Sequence, residues 1–202
     1  MNYSAPQRLR HSTCNAAMRL EINGTRGPAT DMKTLVTARL IVRRMSVADA
    51  GFILALMNEP SWLRFIGDRG VKTIDDAMNY IIQGPVAMYA SLGFGLCTVE
   101  LKDSTCPVGI CGLMKRDYLD AADIGFAFLP AYWGKGYAYE AAVAVLNFAK
   151  TDLGFERILA TTRLDNVPSQ KLLEKLGLRF ERLIGHPDGD RDLRLYAIGD
   201  LS

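Results

Sequence analysis

Histidine and cysteine are the scarce residues of this 202-residue chain, and their scarcity excludes several chemistries. Only His11 and His186 carry imidazoles, and the four thiols Cys14, Cys97, Cys106 and Cys111 form no C-x-x-C pair. A zinc site lacks its ligand spacing, and no metal is expected. A Ser-His-Asp or Cys-His nucleophilic centre has equally little to build on. Cys97 and Cys111 stand in apolar runs, the setting of buried, inert thiols. Reduced cysteines point to a cytoplasmic protein. Long apolar runs are missing too: none reaches the roughly 18 residues of a membrane span. The basic N-terminus lacks the continuous apolar block of a secretory signal. A formal net charge of +2 argues for neither nucleic acid nor an anionic membrane as a partner. The chain shows no internal repeat and no low-complexity segment.

What is present is an ordinary globular balance, 49% apolar and 23% charged residues, at a length that suits one domain. Residues 1–31 are polar, mixed and end in the turn-rich NGTRGP, so they read as a flexible N-terminal tail. The folded domain is expected over 32–202. ARLIVRR alternates as a strand. Ser46 with Asp49, and Thr73 with Asp76, have capping-box spacing and open helices. Three strand-like runs follow, Phe94–Glu100, Val108–Met114 and Asp123–Leu129, separated by turn residues as in an antiparallel meander. Ala138, Ala141, Ala142, Val145, Leu146 and Ala149 recur at helical spacing. RILATTR is a strand, and Pro168 near its start and Gly177 past its end bracket another helix. Strands then recur around Phe180 and Leu193–Ile198. Mixed rather than alternating elements give an α+β fold, or α/β with a mostly antiparallel sheet.

The stretch FAFLPAYWGKGYAYEA reads as strand, turn, helix. A helix N-terminus presents unpaired N–H groups to an anion, and glycine lets a phosphate approach the backbone. Gly134 and Gly136 therefore suit an anion-binding turn, although a G-x-G pair also serves a plain tight turn. Lys135 adds a positive charge there, or is simply solvated. A dinucleotide fingerprint needs a third glycine where Tyr139 stands. A phosphate-binding loop of the Walker type needs Ser or Thr after Lys135, and Gly136 follows.

DIGFAFLPAYWGKGYAYEAA followed by DNVPSQKLLEKLGLRFER resembles the GNAT superfamily of acetyl-CoA-dependent N-acetyltransferases, most of all its ribosomal-protein-alanine N-acetyltransferase subgroup. ARLIVRRMSVADA, SLGFGLCTVE, VGICGL and RDLRLYAI extend the likeness from Met32 to Ile198. The resemblance implies a mostly antiparallel central sheet, flanked by helices and splayed into a V between its central strands. The superfamily's turn motif, Arg or Gln, two residues, Gly, one residue, Gly or Ala, maps onto Trp133, Gly134, Lys135, Gly136, Tyr137 and Ala138. By resemblance these amides hold the coenzyme A pyrophosphate, and the pantetheine arm pairs with backbone near Phe128 and Leu129. Trp133 departs from Arg or Gln, although aromatic residues are usual there in this subgroup, which weakens that side chain's claim as a phosphate ligand.

Acetyl transfer to nitrogen needs a proton acceptor, a donor for the developing oxyanion and a proton for the departing thiolate. The resemblance assigns Asn166 to the cofactor arm and Ser169 to the thioester sulfur; helix capping and turn-making explain both residues equally well. Leu173 replaces the tyrosine that serves many members as general acid, which leaves Ser169 as proton donor. Asp123 is the candidate base, with Asp188, Asp190 and a relaying water as rivals, and His186 reads as a loop residue. Trp62, Phe65 and Tyr89 line the acceptor pocket or pack the core. The expected partners are acetyl-CoA and an amine, either a protein N-terminus or a small molecule, on a monomer or homodimer. A non-catalytic acyl-CoA-binding module is the alternative.

Overall fold

The computed structural model describes residues 32–187, 189 and 192–199. The expected tail 1–31, with His11 and Cys14, and the rival bases Asp188 and Asp190 lie outside the described residues.

Alternating apolar and polar residues become an eight-stranded sheet. Its strands are β1 (Leu35–Val36), β2 (Leu40–Arg44), β3 (Leu96–Leu101), β4 (Pro107–Met114), β5 (Asp123–Phe128), β6 (Ile158–Arg163), β7 (Arg179–Gly185) and β8 (Asp192–Ile198). They lie in the order β1-β2-β3-β4-β5-β6-β8-β7, antiparallel throughout except between β5 and β6. The β3-β4-β5 meander is the one read from the sequence. The last strand, β8, slots between β6 and β7, an order the sequence pattern does not carry.

Among the described residues six helices accompany the sheet: α1 (Ala50–Met57), α2 (Pro60–Phe65), α3 (Ile74–Ile81), α4 (Ala87–Leu92), α5 (Tyr137–Thr151) and α6 (Val167–Lys175). Both capping boxes form. The Asp49 carboxylate accepts the Ser46 N–H at 2.8 Å, and Thr73 and Asp76 bond reciprocally at 2.9 and 3.1 Å. The helix expected from Ser46 begins as a 3₁₀ turn at Val47–Asp49 before α1. α2 and α4 were not expected. Pro60 occupies the first turn of α2, and a wide turn containing Pro85 separates α3 from α4.

The sheet buries both faces. Ala141, Ala142, Val145, Phe148 and Ala149 of α5 pack on one side with Val42, Cys97, Cys111, Leu113 and Ile124. Ile53, Leu56, Trp62, Ala77 and Ile81 of α1, α2 and α3 pack on the other with Leu96 and Ile110. Each large apolar side chain sealed in this way contributes about 1.5–3 kcal/mol. Along β5, Ile124, Phe126 and Phe128 therefore face α5, while Gly125, Ala127 and Leu129 face α1–α3. Asp123 shares the second face.

Candidate active site

β5 and β6 pair at one register position among the described residues, Asp123 opposite Leu159, where the Leu159 N–H donates to the Ala122 carbonyl at 2.9 Å. Beyond it they diverge, which is the expected V. On its other edge β5 is paired with β4 to its end, and the Leu129 N–H donates to Val108 at 3.0 Å. Antiparallel pairing alternates, so Asp123, Gly125, Ala127 and Leu129 direct their peptide groups to β4. Ile124, Phe126 and Phe128 direct theirs into the V. Leu129 is thus misplaced in the expected pair: its amide is committed to Val108 and it does not line the cavity. The Phe128 carbonyl accepts the indole N–H of half-exposed Trp133 at 2.7 Å, leaving its own amide toward the opening.

A cavity of about 800 Å³ occupies the V. One end is lined by the turn before α5. Gly134 and Gly136 have φ of +72° and +80°, a left-handed conformation that glycine adopts without strain. Gly136 is the N-cap of α5, and no side chain caps it. The first intrahelical bond runs from the Glu140 N–H to Gly136 at 3.1 Å, so the amides of Tyr137, Ala138 and Tyr139 have no acceptor within the helix. A Cβ at Gly134 would touch nothing within 4 Å. Lys135 does not line the cavity: its ammonium sits over the Tyr132 ring at 5.2 Å.

The turn is held from behind by the β1–β2 connection. Arg39 Nη1 donates to the Lys135 carbonyl at 3.0 Å, its guanidinium stacks on Tyr137 at 4.6 Å, and its Nη2 lies 2.7 Å from the Glu140 carboxylate. The Thr37 hydroxyl and the Arg39 N–H donate to the same carboxylate at 2.6 and 2.8 Å. Burial pushes the Glu140 carboxyl up, but the bonds from Thr37 and Arg39 outweigh it and hold the group below its usual value.

At the start of β6–α6, Asn166 Oδ1 accepts the Ser169 N–H at 3.3 Å and caps α6, and both residues line the cavity. Leu173, fully buried, lines it one turn further along. Thr162 also lines it, with a buried hydroxyl that has no partner among the described residues.

The other end of the cavity opens toward α2 and α3. Asp123 is 1% exposed, and its Oδ2 accepts from Arg116 Nε at 2.9 Å. Its Oδ1 is buried without a partner among the described residues. Burial pushes this carboxyl up and Arg116 pulls it back, with a net rise above the ordinary range. Trp62 and Phe65 line this end, together with Tyr80, Arg69 and Arg116. Burial raises the Tyr80 hydroxyl, and the positive charges of Arg69 and Arg116 act against it. Tyr89 belongs to the core instead: its hydroxyl takes the Met45 N–H at 3.0 Å and donates to the Leu96 carbonyl. His186 lies in the turn after β7, away from the cavity lining. Cys97 and Cys111 face each other on β3 and β4, and burial pushes both thiols up, Cys97 to about 12. Among the described residues no cluster of His, Cys, Asp or Glu could hold a metal, and no helix is long and apolar enough to cross a membrane.

The sequence pattern of the acetyltransferase (GNAT) domain matches residues 39–179. The chain belongs to the GNAT acetyltransferase family. It is an acetyl-CoA-dependent acyltransferase, and curated relatives are named as N-acetyltransferases. The uncharacterized N-acetyltransferase YnaD of Bacillus subtilis is 29% identical over 147 residues, 73% of this chain and 83% of its own. A GNAT-family acetyltransferase from Bacillus anthracis superposes with a TM-score of 0.69 at 27% identity, covering 82% of this chain and 98% of that one. A ribosomal L7/L12 α-N-protein acetyltransferase in complex with coenzyme A shares the fold at a TM-score of 0.71 and 15% identity, over 82% of this chain and 97% of its own.

Of the residues singled out in the sequence, Asp123, Gly134, Gly136, Asn166 and Ser169 line the cavity; the sequence pattern did not single out Arg39, Glu140, Arg69, Tyr80, Arg116 or Thr162. Arg39 and Glu140 are separated by 101 residues, and each looks like an ordinary surface charge until the sheet brings them together. Phe126 was recoverable: once β5 pairs with β4 at Leu129, alternation alone selects it.

Proposed function

We propose that the protein moves the acetyl group of acetyl-CoA onto a primary amine by direct attack within a ternary complex. The observation that supports this most is the uncapped N-terminus of α5 opening onto a crevice walled by the unpaired edge of β5. The residues fit the cosubstrate. The first amides of α5 have no acceptor within the helix, a Cβ at Gly134 would meet nothing within 4 Å, and the nearby carboxylate, Glu140, is paired with Arg39. In this reading the Trp133–Ala138 turn holds the diphosphate, with Lys135 adding charge and Trp133 and Tyr137 flanking it. The pantetheine arm lies along β5 as an added strand, on the peptide groups of Phe126 and Phe128 rather than Leu129. Asn166 fixes the start of α6 beside it.

The bound cosubstrate supplies an activated acetyl thioester. Asp123 Oδ1 takes a proton from the incoming ammonium, directly or through water, and its raised affinity for protons suits that task. The neutral nitrogen forms the N–C bond as the C–S bond breaks, and it releases its remaining excess proton to solvent. A β5 amide donates to the carbonyl oxygen while negative charge resides there. The Ser169 hydroxyl gives a proton to the departing sulfur and recovers one from solvent, which fits its place at the mouth of α6 and the apolar Leu173 where another acid could stand. No covalent enzyme intermediate is required. The acceptor is a protein N-terminus or a small amine.

The test is Gly136→Glu, which adds a negative side chain to the turn on a left-handed backbone, with its Cβ 3.4 Å from Arg39 Nη2. Acetyl-CoA should raise the melting temperature of the wild type and not of the variant. Thiol release by the wild type should accelerate with an amine panel. Equal stabilisation of both proteins sinks the diphosphate site. Binding without acceleration by any peptide or amine sinks the transfer and leaves a non-catalytic acyl-CoA module.

A further inference from the structure

We infer that the acceptor is an apolar α-amino acid bound as its zwitterion, with its ammonium on Asp123 and its carboxylate on Arg69 and Arg116. This rests on reading the Asp123 end of the cavity as the acceptor site.

The wall there is mostly apolar, contributed by Leu56, Trp62, Phe65, Ile66, Tyr80 and Met114. Against it stand Asp123, Arg116 and Arg69, an excess of one positive charge. Each has unused capacity. Asp123 Oδ1 is buried without a partner. Arg116 spends Nε on Asp123 and Nη1 on the Tyr118 hydroxyl at 3.2 Å, while its Nη2 meets the Met114 thioether at 3.8 Å, a weak acceptor. Arg69 has no carboxylate partner among the described residues. Its neighbour Asp68 is already taken by the Gly70 N–H at 2.8 Å and by Lys72 at 3.0 Å.

Arg69 is also held in place. Trp62 Nε1 donates to the Gly67 carbonyl at 3.1 Å, and Asn58 Nδ2 donates to the Val71 carbonyl at 2.8 Å, so the loop is pinned on both sides of it. The backbone that carries Arg69 is fixed in this way, and its exposed side chain lines the cavity.

Charge balance then selects the ligand. An ammonium with no anion of its own would add a third cation against one carboxylate. Like charges in a largely apolar site repel strongly. An α-amino acid brings both signs, offers its ammonium to the free oxygen and its carboxylate to the free guanidinium donors, and leaves an apolar side chain for the aromatic wall. A protein N-terminus would set a neutral peptide carbonyl where the carboxylate belongs.

The experiment uses product analogues, so that acceptor basicity does not enter. With CoA present, calorimetric titration compares N-acetylphenylalanine with N-acetylphenylalaninamide. The wild type should bind the carboxylate about tenfold or more tightly, the range of a charged hydrogen bond. Arg69→Gln should bring that ratio near one and Arg69→Lys should restore part of it, with stabilisation by acetyl-CoA as the check that each variant folds. Equal affinities in the wild type, or an unchanged ratio in Arg69→Gln, overturn the inference. So does thiol release that responds to peptides and not to free phenylalanine, leucine or methionine. Failure of every amine would overturn the transfer reaction instead, while the affinity ratio still decides the carboxylate site.

Discussion

At the scale of single residues, the proposed chemistry centres on Asp123. It is almost wholly buried, carries one paired and one unpaired oxygen, and holds its proton more tightly than an exposed carboxylate does. A base acts in its deprotonated form, so activity should fall as pH drops through its raised pKa. The acid limb of the kcat/KM profile should therefore lie above the usual aspartate value of about 3.9. Asp123→Asn should lower kcat about 10²–10⁴-fold and abolish that limb in steady-state assays across pH. Arg116 pulls the carboxyl down, so Arg116→Met should move the limb to higher pH. A limb in Arg116→Met at or below its wild-type position would contradict the pairing. Asp123 could be read from the sequence because it opens a recognisable strand. Arg116, Arg69 and Tyr80 could not, because only packing of α3 and the loop before it over that strand gives them a shared cavity.

At the scale of elements, the N-terminus of α5 is set by a carboxylate clamp. Glu140 ties the helix to the β1–β2 turn through Thr37 and Arg39, with Arg39 about half exposed. Glu140→Gln should cost about 1–2 kcal/mol, discounted for that exposure, and weaken acetyl-CoA binding with it. Glu140 has a lowered pKa in the folded protein, so its contribution is complete above the unfolded glutamate pKa. It is lost as pH falls through the lower, folded value. The stability gap between wild type and Glu140→Gln, followed by denaturant melts, should close in that acidic window and not at alkaline pH. The meander, α5 and α6 were legible because apolar periodicity is strong in each. α2 and α4 were not, because Pro60, Gly84 and Pro85 interrupt short helices whose apolar faces make sense only against β3 and β4.

At the scale of the whole molecule, the GNAT match covers residues 39–179. We propose that deletion of residues 1–31 leaves the melting temperature and thiol release nearly unchanged; a large loss in either measurement would refute it. The class of sheet was readable from the order of elements, whereas the insertion of β8 beside β6 depends on long-range pairing that no local pattern records. The lone β5–β6 register pair has a mechanical consequence. Five strands on one side and three on the other are stitched together at a single point along their shared seam. In the proposed binding mode the pantetheine arm along β5 acts as the missing thread, so occupied enzyme should come apart more slowly, and amide exchange at Phe126 and Phe128 should slow before any other part of the sheet stiffens.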